Sequence, residues 1–174
     1  MESITKFLHN RLKLRVNKEK SAVDIPQRRK FLGFSLTEGE RLRRCIAPQS
    51  IARMKKRVRE LTRKTKGMSL PKTIEQLARF LTGWRGYFKF CETPSVLVEL
   101  DGWIRRRLRR FIWIQWKTGR KRYAELRARR VGKDLAARTA GSAHGAWRIS
   151  NSPALTIAFP NRYFSELGLP KLTT

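Results

Sequence analysis

Between Ile51 and Phe111 apolar residues recur at alternating spacings of three and four, and much of what separates them is basic. Ile51, Met54, Val58 and Leu61, continued by Thr65, make one series. Ile74, Leu77, Leu81, Trp84 and Phe88 make a second, and Leu97, Leu100, Ile104, Leu108 and Phe111 a third. That spacing marks one helical face turned to a core. Lys66-Gly67-Met68-Ser69-Leu70-Pro71 reads as a stop, a loop and a restart, since Gly suits a helix end and Pro a first turn. Thr93 before Pro94 reads as a cap for the third helix. Three such helices on short connections pack most simply as an antiparallel bundle. The expected fold class is mainly α: an antiparallel three-helix bundle with a small N-terminal β-hairpin and an irregular C-terminal tail.

The flanks read differently. Residues 3–16 begin with helical spacing (Ile4, Phe7, Leu8, Leu12) and end in Leu12-Lys13-Leu14-Arg15-Val16, which suits a helix end or a strand start. Asn17 to Gln27 is polar and holds Pro26, as a loop would. Two short runs, Lys30 to Leu36 and Arg41 to Ile46, flank the turn-rich Thr37-Glu38-Gly39-Glu40, which predicts a β-hairpin with Phe31, Leu32 and Phe34 supplying its apolar packing. Past Lys117 the periodicity weakens. Thr118-Gly119-Arg120 breaks the helix, and Tyr123 to Arg130 suits a further short one. Residues 141–174 hold Pro153, Pro160 and Pro170 among scattered aromatics, predicting turns and one short helix laid over the bundle.

Charge narrows the partner. The chain carries 41 Lys and Arg against 13 Asp and Glu, a net +28 over 174 residues. Such a charge self-repels unless a polyanion neutralises it, and phosphate backbones release counterions as Lys and Arg replace them. Five Trp among the basic runs add flat surfaces that stack on unpaired bases. A hydrophobic content of 40% is too high for a disordered basic tail. The densest patch, Asp101 to Arg130, holds twelve basic and two acidic residues. On a helix Arg105 and Arg109 share a face, as do Arg106 and Arg110, giving a stripe that suits a phosphate groove. Lys117, Arg120, Lys121 and Arg122 extend it. A second basic face, on the first helix of the bundle, comprises Arg53, Lys56, Arg57 and Lys64. Nucleic acid is the expected partner.

Two smaller features leave alternatives open. Phe111 to Trp116 cannot all face one core, so either Trp113 or Trp116 is partly exposed or the tail covers it. Gly83 and Gly86, flanking Trp84 and Arg85, cost about 1 kcal/mol each in a helix relative to Ala. Either a neighbouring helix or a nucleic-acid backbone would need the space they leave.

Catalytic chemistry is thin. Asp24, Asp101 and Asp134 are isolated in sequence, and Glu38 and Glu40 fall in the expected hairpin turn, so no carboxylate cluster suited to paired Mg²⁺ ions is visible. His9 and His144 lie far apart, without a phosphate loop or a serine-nucleophile signature beside them. Cys45 and Cys91 lack metal-ligand spacing and read as free thiols of a reducing compartment. The short, Arg-broken apolar stretches exclude a transmembrane helix, and no secretory leader is visible. These readings predict a cytoplasmic protein with no membrane partner, no catalytic or metal-ligating residues and no cofactor.

Several motifs line up in one order: Asn17-Lys18-Glu19-Lys20-Ser21, Phe31-Leu32-Gly33-Phe34, Gly83-Trp84-Arg85-Gly86-Tyr87-Phe88, Leu100 to Arg109, and the ending Gly145 to Ser150 through Leu167-Gly168-Leu169-Pro170. In that order the chain resembles the C-terminal part of bacterial group II intron-encoded reverse transcriptase/maturases. The resemblance implies that residues 1–47 are the last part of the palm, with Lys20 beyond the catalytic strands and Phe31, Leu32, Gly33 and Phe34 at the primer grip. It implies that 48–130 are the maturase-specific thumb, Arg85 included, with 131–174 a tail packed on it. Its partners would be structured group II intron RNA and a template–primer duplex. The family's paired catalytic aspartates would lie upstream of residue 1, and Met1 falls where the family has an internal helix. The expectation is therefore a truncated frame: a noncatalytic RNA-binding module assisting splicing. The alternative is one part of a split reverse transcriptase, active when a separate chain supplies fingers and palm.

Overall fold

The computed structural model describes residues 2–17, 21, 24, 25, 27, 29–39, 41–63 and 67–173. Lys20 and Lys64 lie outside the described residues, as do Pro26, Glu40 and Thr65. The elements run α1 (Glu2–Leu12), β1 (Phe34–Leu36), β2 (Arg44–Ile46), α2 (Pro48–Leu61), α3 (Leu70–Tyr87), α4 (Pro94–Gln115) and α5 (Gly119–Ala128). Four shorter helices follow: α6 (Lys133–Ala140), α7 (Ala146–Ile149), α8 (Pro153–Ala158) and α9 (Asn161–Glu166). The fold is mainly α with a small antiparallel hairpin, as the periodicity predicts.

The three long helices start where proline fixes a helical φ: Pro48, Pro71 and Pro94 each stand in a first turn. Thr93 precedes the last of these, but its hydroxyl is engaged with the Cys91 thiol at 3.2 Å rather than with a helix amide. The expected faces are buried. Met54, Val58 and Leu61 of α2, Ile74, Leu77 and Leu81 of α3, and Leu100, Ile104 and Leu108 of α4 join one core. Burying each such side chain contributes about 1.5–3 kcal/mol relative to leaving it in water.

Neighbouring side chains fix the directions. Ser50 in the first turn of α2 and Phe88 at the end of α3 both lie against Gly33, while a short connection joins the end of α2 to the start of α3, so α2 and α3 run antiparallel. Trp103 sits by Lys55 and Arg59, Arg107 reaches Thr62, and Gln115 reaches Met68, so α4 runs alongside α2 in the same sense. This is up-down-up packing.

The C-terminal region departs from the expectation of turns and one short helix. Residues 133–166 form α6 to α9, and Ile149, Ala154, Leu155, Phe159, Phe164, Leu169 and Leu172 enter the same core as the long helices. Its prolines open turns rather than preventing them: Pro153 stands in the first turn of α8, and Pro160 precedes α9. This layer settles the tryptophan question. Trp113 and Trp116 are both buried, Trp116 stacking against Phe159 at 5.7 Å. The expected space-filling role of Gly83 and Gly86 by a packed helix is not seen, since a Cβ on either meets nothing within 4 Å.

The hairpin also differs in detail. Phe31-Leu32-Gly33-Phe34 closes as a two-residue turn, with Phe31 and Phe34 exchanging two 2.9 Å hydrogen bonds and φ of +49° and +80° at Leu32 and Gly33. Positive φ at both central residues is what a type I′ turn requires. Leu32 pays the steric cost there, and Tyr87 Oη donates to its carbonyl at 2.8 Å. Gly33 has no substitute: a Cβ would come within 3.0 Å of Ser50 Oγ and 3.3 Å of Phe88. Of the aromatics expected to pack the hairpin, Phe34 does, against Phe88 at 5.1 Å. Phe31 and Leu32 are 78% and 66% exposed, because the turn points them away from the bundle.

Helix α1 buries no residue, and its chain ends in Lys13 at φ +53° rather than entering a strand. Limited trypsin digestion is therefore expected to cut at Arg11, Lys13 or Arg15 before any site in α2 to α4. A first cut within 48–116 with residues 1–47 intact would contradict the packing described.

Candidate nucleic-acid interface

The basic stripe expected on α4 divides once its side chains are placed. Arg105 and Arg109 turn inward and are buried. Arg105 Nη1 lies 3.0 Å from Asp101 Oδ1, and also donates to the Asp101 carbonyl. Arg109 Nε donates to the Phe159 carbonyl and its Nη2 to Asn161 Oδ1, both at 3.0 Å. Burial first, then Arg105, holds the Arg109 guanidinium below the usual arginine range. The expectation that Arg105 and Arg109 face a phosphate groove is thus corrected: both are buried, Arg105 held by Asp101 of its own helix and Arg109 by acceptors at Phe159 and Asn161.

Arg106 is half-buried and likewise engaged. Its Nη2 donates to the Trp147 carbonyl at 3.0 Å, and its guanidinium lies 4.1 Å over the Trp147 ring. Arg122 donates to the Trp116 carbonyl at 2.8 Å and covers Trp113. These arginines tie helices together through carbonyls and rings. Arg85, half-buried, borders the cleft between the end of α3 and Leu172.

The remaining expected residues face outward. Arg53, Lys56 and Arg57 are exposed on α2; Arg53 donates to Ser50 Oγ, and Arg57 pairs with Glu60 at 3.1 Å. Lys117, Arg120 and Lys121 are exposed where α4 gives way to α5, a helix capped by Thr118 Oγ1 accepting from the Lys121 amide. The hydrogen bonds of Arg107 to Thr62 and Gln115 to Met68 bring this corner beside the end of α2. Only six ion pairs occur among the described residues, against 41 basic side chains in the chain, so most of the positive charge is not neutralised internally.

Three cations that were not singled out in sequence belong to this surface. Lys55 and Arg59 of α2 and Arg107 of α4 surround the Trp103 ring at 5.7, 5.6 and 6.0 Å from its centroid. Arg110 is half-buried on the same helix. Burial first, then Arg110 and Arg59, push Arg107 down to about 10. The spacing that could have revealed them is i, i+4 on both helices, Lys55 with Arg59 and Trp103 with Arg107. Among the described residues no group of three or more His, Cys, Asp or Glu could hold a metal ion, and no helix is long and apolar enough to cross a membrane.

Asp101 is the acid whose role sequence reading missed. Both of its oxygens accept from the Leu172 amide, at 3.2 and 3.1 Å, and Oδ2 accepts from Thr173. Asp101→Ala leaves Arg105 buried and unpaired and is expected to cost about 3–5 kcal/mol in urea unfolding. Arg109→Gln is expected to cost about 1–3 kcal/mol by orphaning a buried carbonyl. Lys121→Gln, on the surface, should change stability by less than about 0.5 kcal/mol. Equal effects of the three would remove the distinction between internal and surface cations.

Residues 51–130 match the family model described as group II intron, maturase-specific domain. A search of curated proteins returns no match to the chain. The matched residues include α3, α4 and α5 and nearly all of α2, the helices that carry the unneutralised cations. Residues 51–130 are thus similar to the group II intron maturase-specific domain, in line with a resemblance to the C-terminal part of group II intron maturases.

Proposed function

We propose that this protein is a noncatalytic RNA-binding module that holds folded group II intron RNA and so assists splicing, the bond chemistry belonging to the RNA. One observation carries the reading: within the matched domain, exposed Lys56, Lys117, Arg120 and Lys121 have no acid partner among the described residues. Cations left unpaired on a surface favour a phosphate backbone, which returns counterions to solution when bound. The partial pairing of Arg57 with Glu60 is a solvent-exposed contact worth little, so a phosphate can compete for it. Contacts of this kind position an RNA by shape and backbone rather than by sequence.

A second reading is favoured by the exposed apolar face where the hairpin meets α3. Phe31, Leu32, Phe34, Leu36, Tyr87 and Phe90 line a groove there of about 730 Å³. Among the described residues β1 has no strand on its side away from β2, which suits a further sheet, whereas Glu92 covers the β2 edge at Arg44. On this reading a separate chain carrying fingers and palm docks at that face, and the pair copies RNA. Nucleotide incorporation on a primed template by the mixture, but by neither chain alone, would favour it over the first.

For the RNA-binding reading, affinity for a structured intron RNA should fall steeply with salt, with a log–log slope of roughly −4 to −5 if about six phosphates are engaged. Changing Lys56, Lys117, Arg120 and Lys121 together to Gln preserves helix propensity and should flatten the slope by about 2 to 3. Filter binding across a salt series checks this, with urea unfolding to show an intact fold. An unchanged slope would place the RNA elsewhere.

A further inference from the structure

We propose that the cluster of Arg59 and Arg107 at the Trp103 ring, where α4 runs along α2, is together with Arg110 an anion site that takes a backbone phosphate of bound RNA. The RNA source rests on the function proposed above; the anion chemistry stands on the cluster itself.

The cluster is uncompensated in a way that the other buried arginines are not. Arg105 has a carboxylate, and Arg109 has a carbonyl and an amide oxygen. Arg107 has no carboxylate and one neutral partner, Thr62 Oγ1 at 2.8 Å; its Nε, like that of Arg105, is buried without a partner. Arg59 and Arg110 have no acid partner among the described residues, and both bear on Arg107 electrostatically. Bringing like charges together at a partly buried position disfavours the free protein unless an anion enters.

The guanidiniums are also held in place. Thr62 Oγ1 donates to the Val58 carbonyl at 2.7 Å, leaving its lone pairs to fix the Arg107 fork. The Trp103 ring supports Arg59 and Arg107, with Lys55 at its margin. Side chains positioned before binding lose little freedom on binding. Arginine forks match the tetrahedral oxygens of a phosphate and bond two at once. Such a cluster is a receptor for an oxyanion rather than a brace.

The test uses the full chain. Thermal midpoints are compared in phosphate, acetate and chloride at one pH and ionic strength, for the wild type, for Arg59→Gln with Arg110→Gln, and for Lys133→Gln with Arg138→Gln. The last pair lies on α6 and removes the same charge. Phosphate is expected to raise the wild-type midpoint above chloride, and acetate is not. That increment should vanish in the Arg59/Arg110 variant and persist in the α6 variant. In chloride the Arg59/Arg110 variant should be at least as stable as wild type, since removing repelling cations relieves the free state; a bracing role would lower it. In RNA binding the same variant should lose about tenfold in affinity and flatten the salt slope by roughly 1 to 2, beyond the α6 variant. A phosphate increment that survives in the Arg59/Arg110 variant, or an equal increment from acetate, overturns the site. An increment lost while the RNA slope is unchanged overturns the RNA source and leaves a free-phosphate site. Wild-type protein that shows the increment but binds no RNA refutes the function proposed above and leaves the anion site standing.

Discussion

The end of the C-terminal layer is anchored to the bundle at one carboxylate. Among the described residues Asp101 is the buried acid, and it stands about two turns inside α4. It balances Arg105 within its own helix and accepts amides of residues 71 and 72 positions further along the chain. A charge inside a core is tolerable only when paired and fully hydrogen-bonded. The end of the chain supplies what Asp101 lacks, so its path is fixed. With the end fixed, Leu169 and Leu172 are drawn into the core and Phe159 closes over Trp116.

Around that point the arginines of one helix take two distinct parts. Arg105 is taken up by Asp101 one turn back in its own helix, while Arg106 and Arg109 face the C-terminal helices, where carbonyls, an amide oxygen and aromatic rings accept their protons or lie beneath their planes. Arg107 faces α2, with Arg110 bearing on it, and neither is paired with an acid among the described residues. Arginine suits the first part because its charge is spread over a planar group that is less strongly hydrated than an ammonium. It suits the second because the same fork binds phosphate. A high positive charge thus has both an internal and an external use in this fold, and the external share is smaller than the composition suggests.

The N-terminal segment is attached differently. The hairpin is seated through the Gly33 carbonyl, which accepts from the Ala47 amide and from Ser50 Oγ at the start of α2. Phe34 against Phe88 and the Arg44–Glu92 pair complete the attachment. The side-chain hydrogen bond from Arg44, then that from its backbone amide, hold Glu92 below the usual carboxylate range. That ion pair is exposed and contributes little. The attachment is therefore narrow, with apolar side chains left facing outward at Phe31, Leu32 and Phe90.

Sequence alone determined the helical faces. Met54, Val58, Ile74, Leu77, Leu81, Leu100, Ile104 and Leu108 are buried because periodicity in apolar residues is a local property that burial must obey. The family, the hairpin and the excess of cations were legible in the same way. Which arginines remain available was not. Arg105 and Arg107 are two positions apart with the same chemistry, and one meets Asp101 while the other meets Thr62. The difference arises from which acceptors surround each side chain, Asp101 one turn back in α4 or Thr62 at the end of α2. For Arg106 and Arg109 the acceptors lie at C-terminal helices that carry too few residues apiece to show a period. Only tertiary packing could separate a cation that braces the fold from one left to bind, because a guanidinium's role is set by the acceptors around it and not by its own place in the chain.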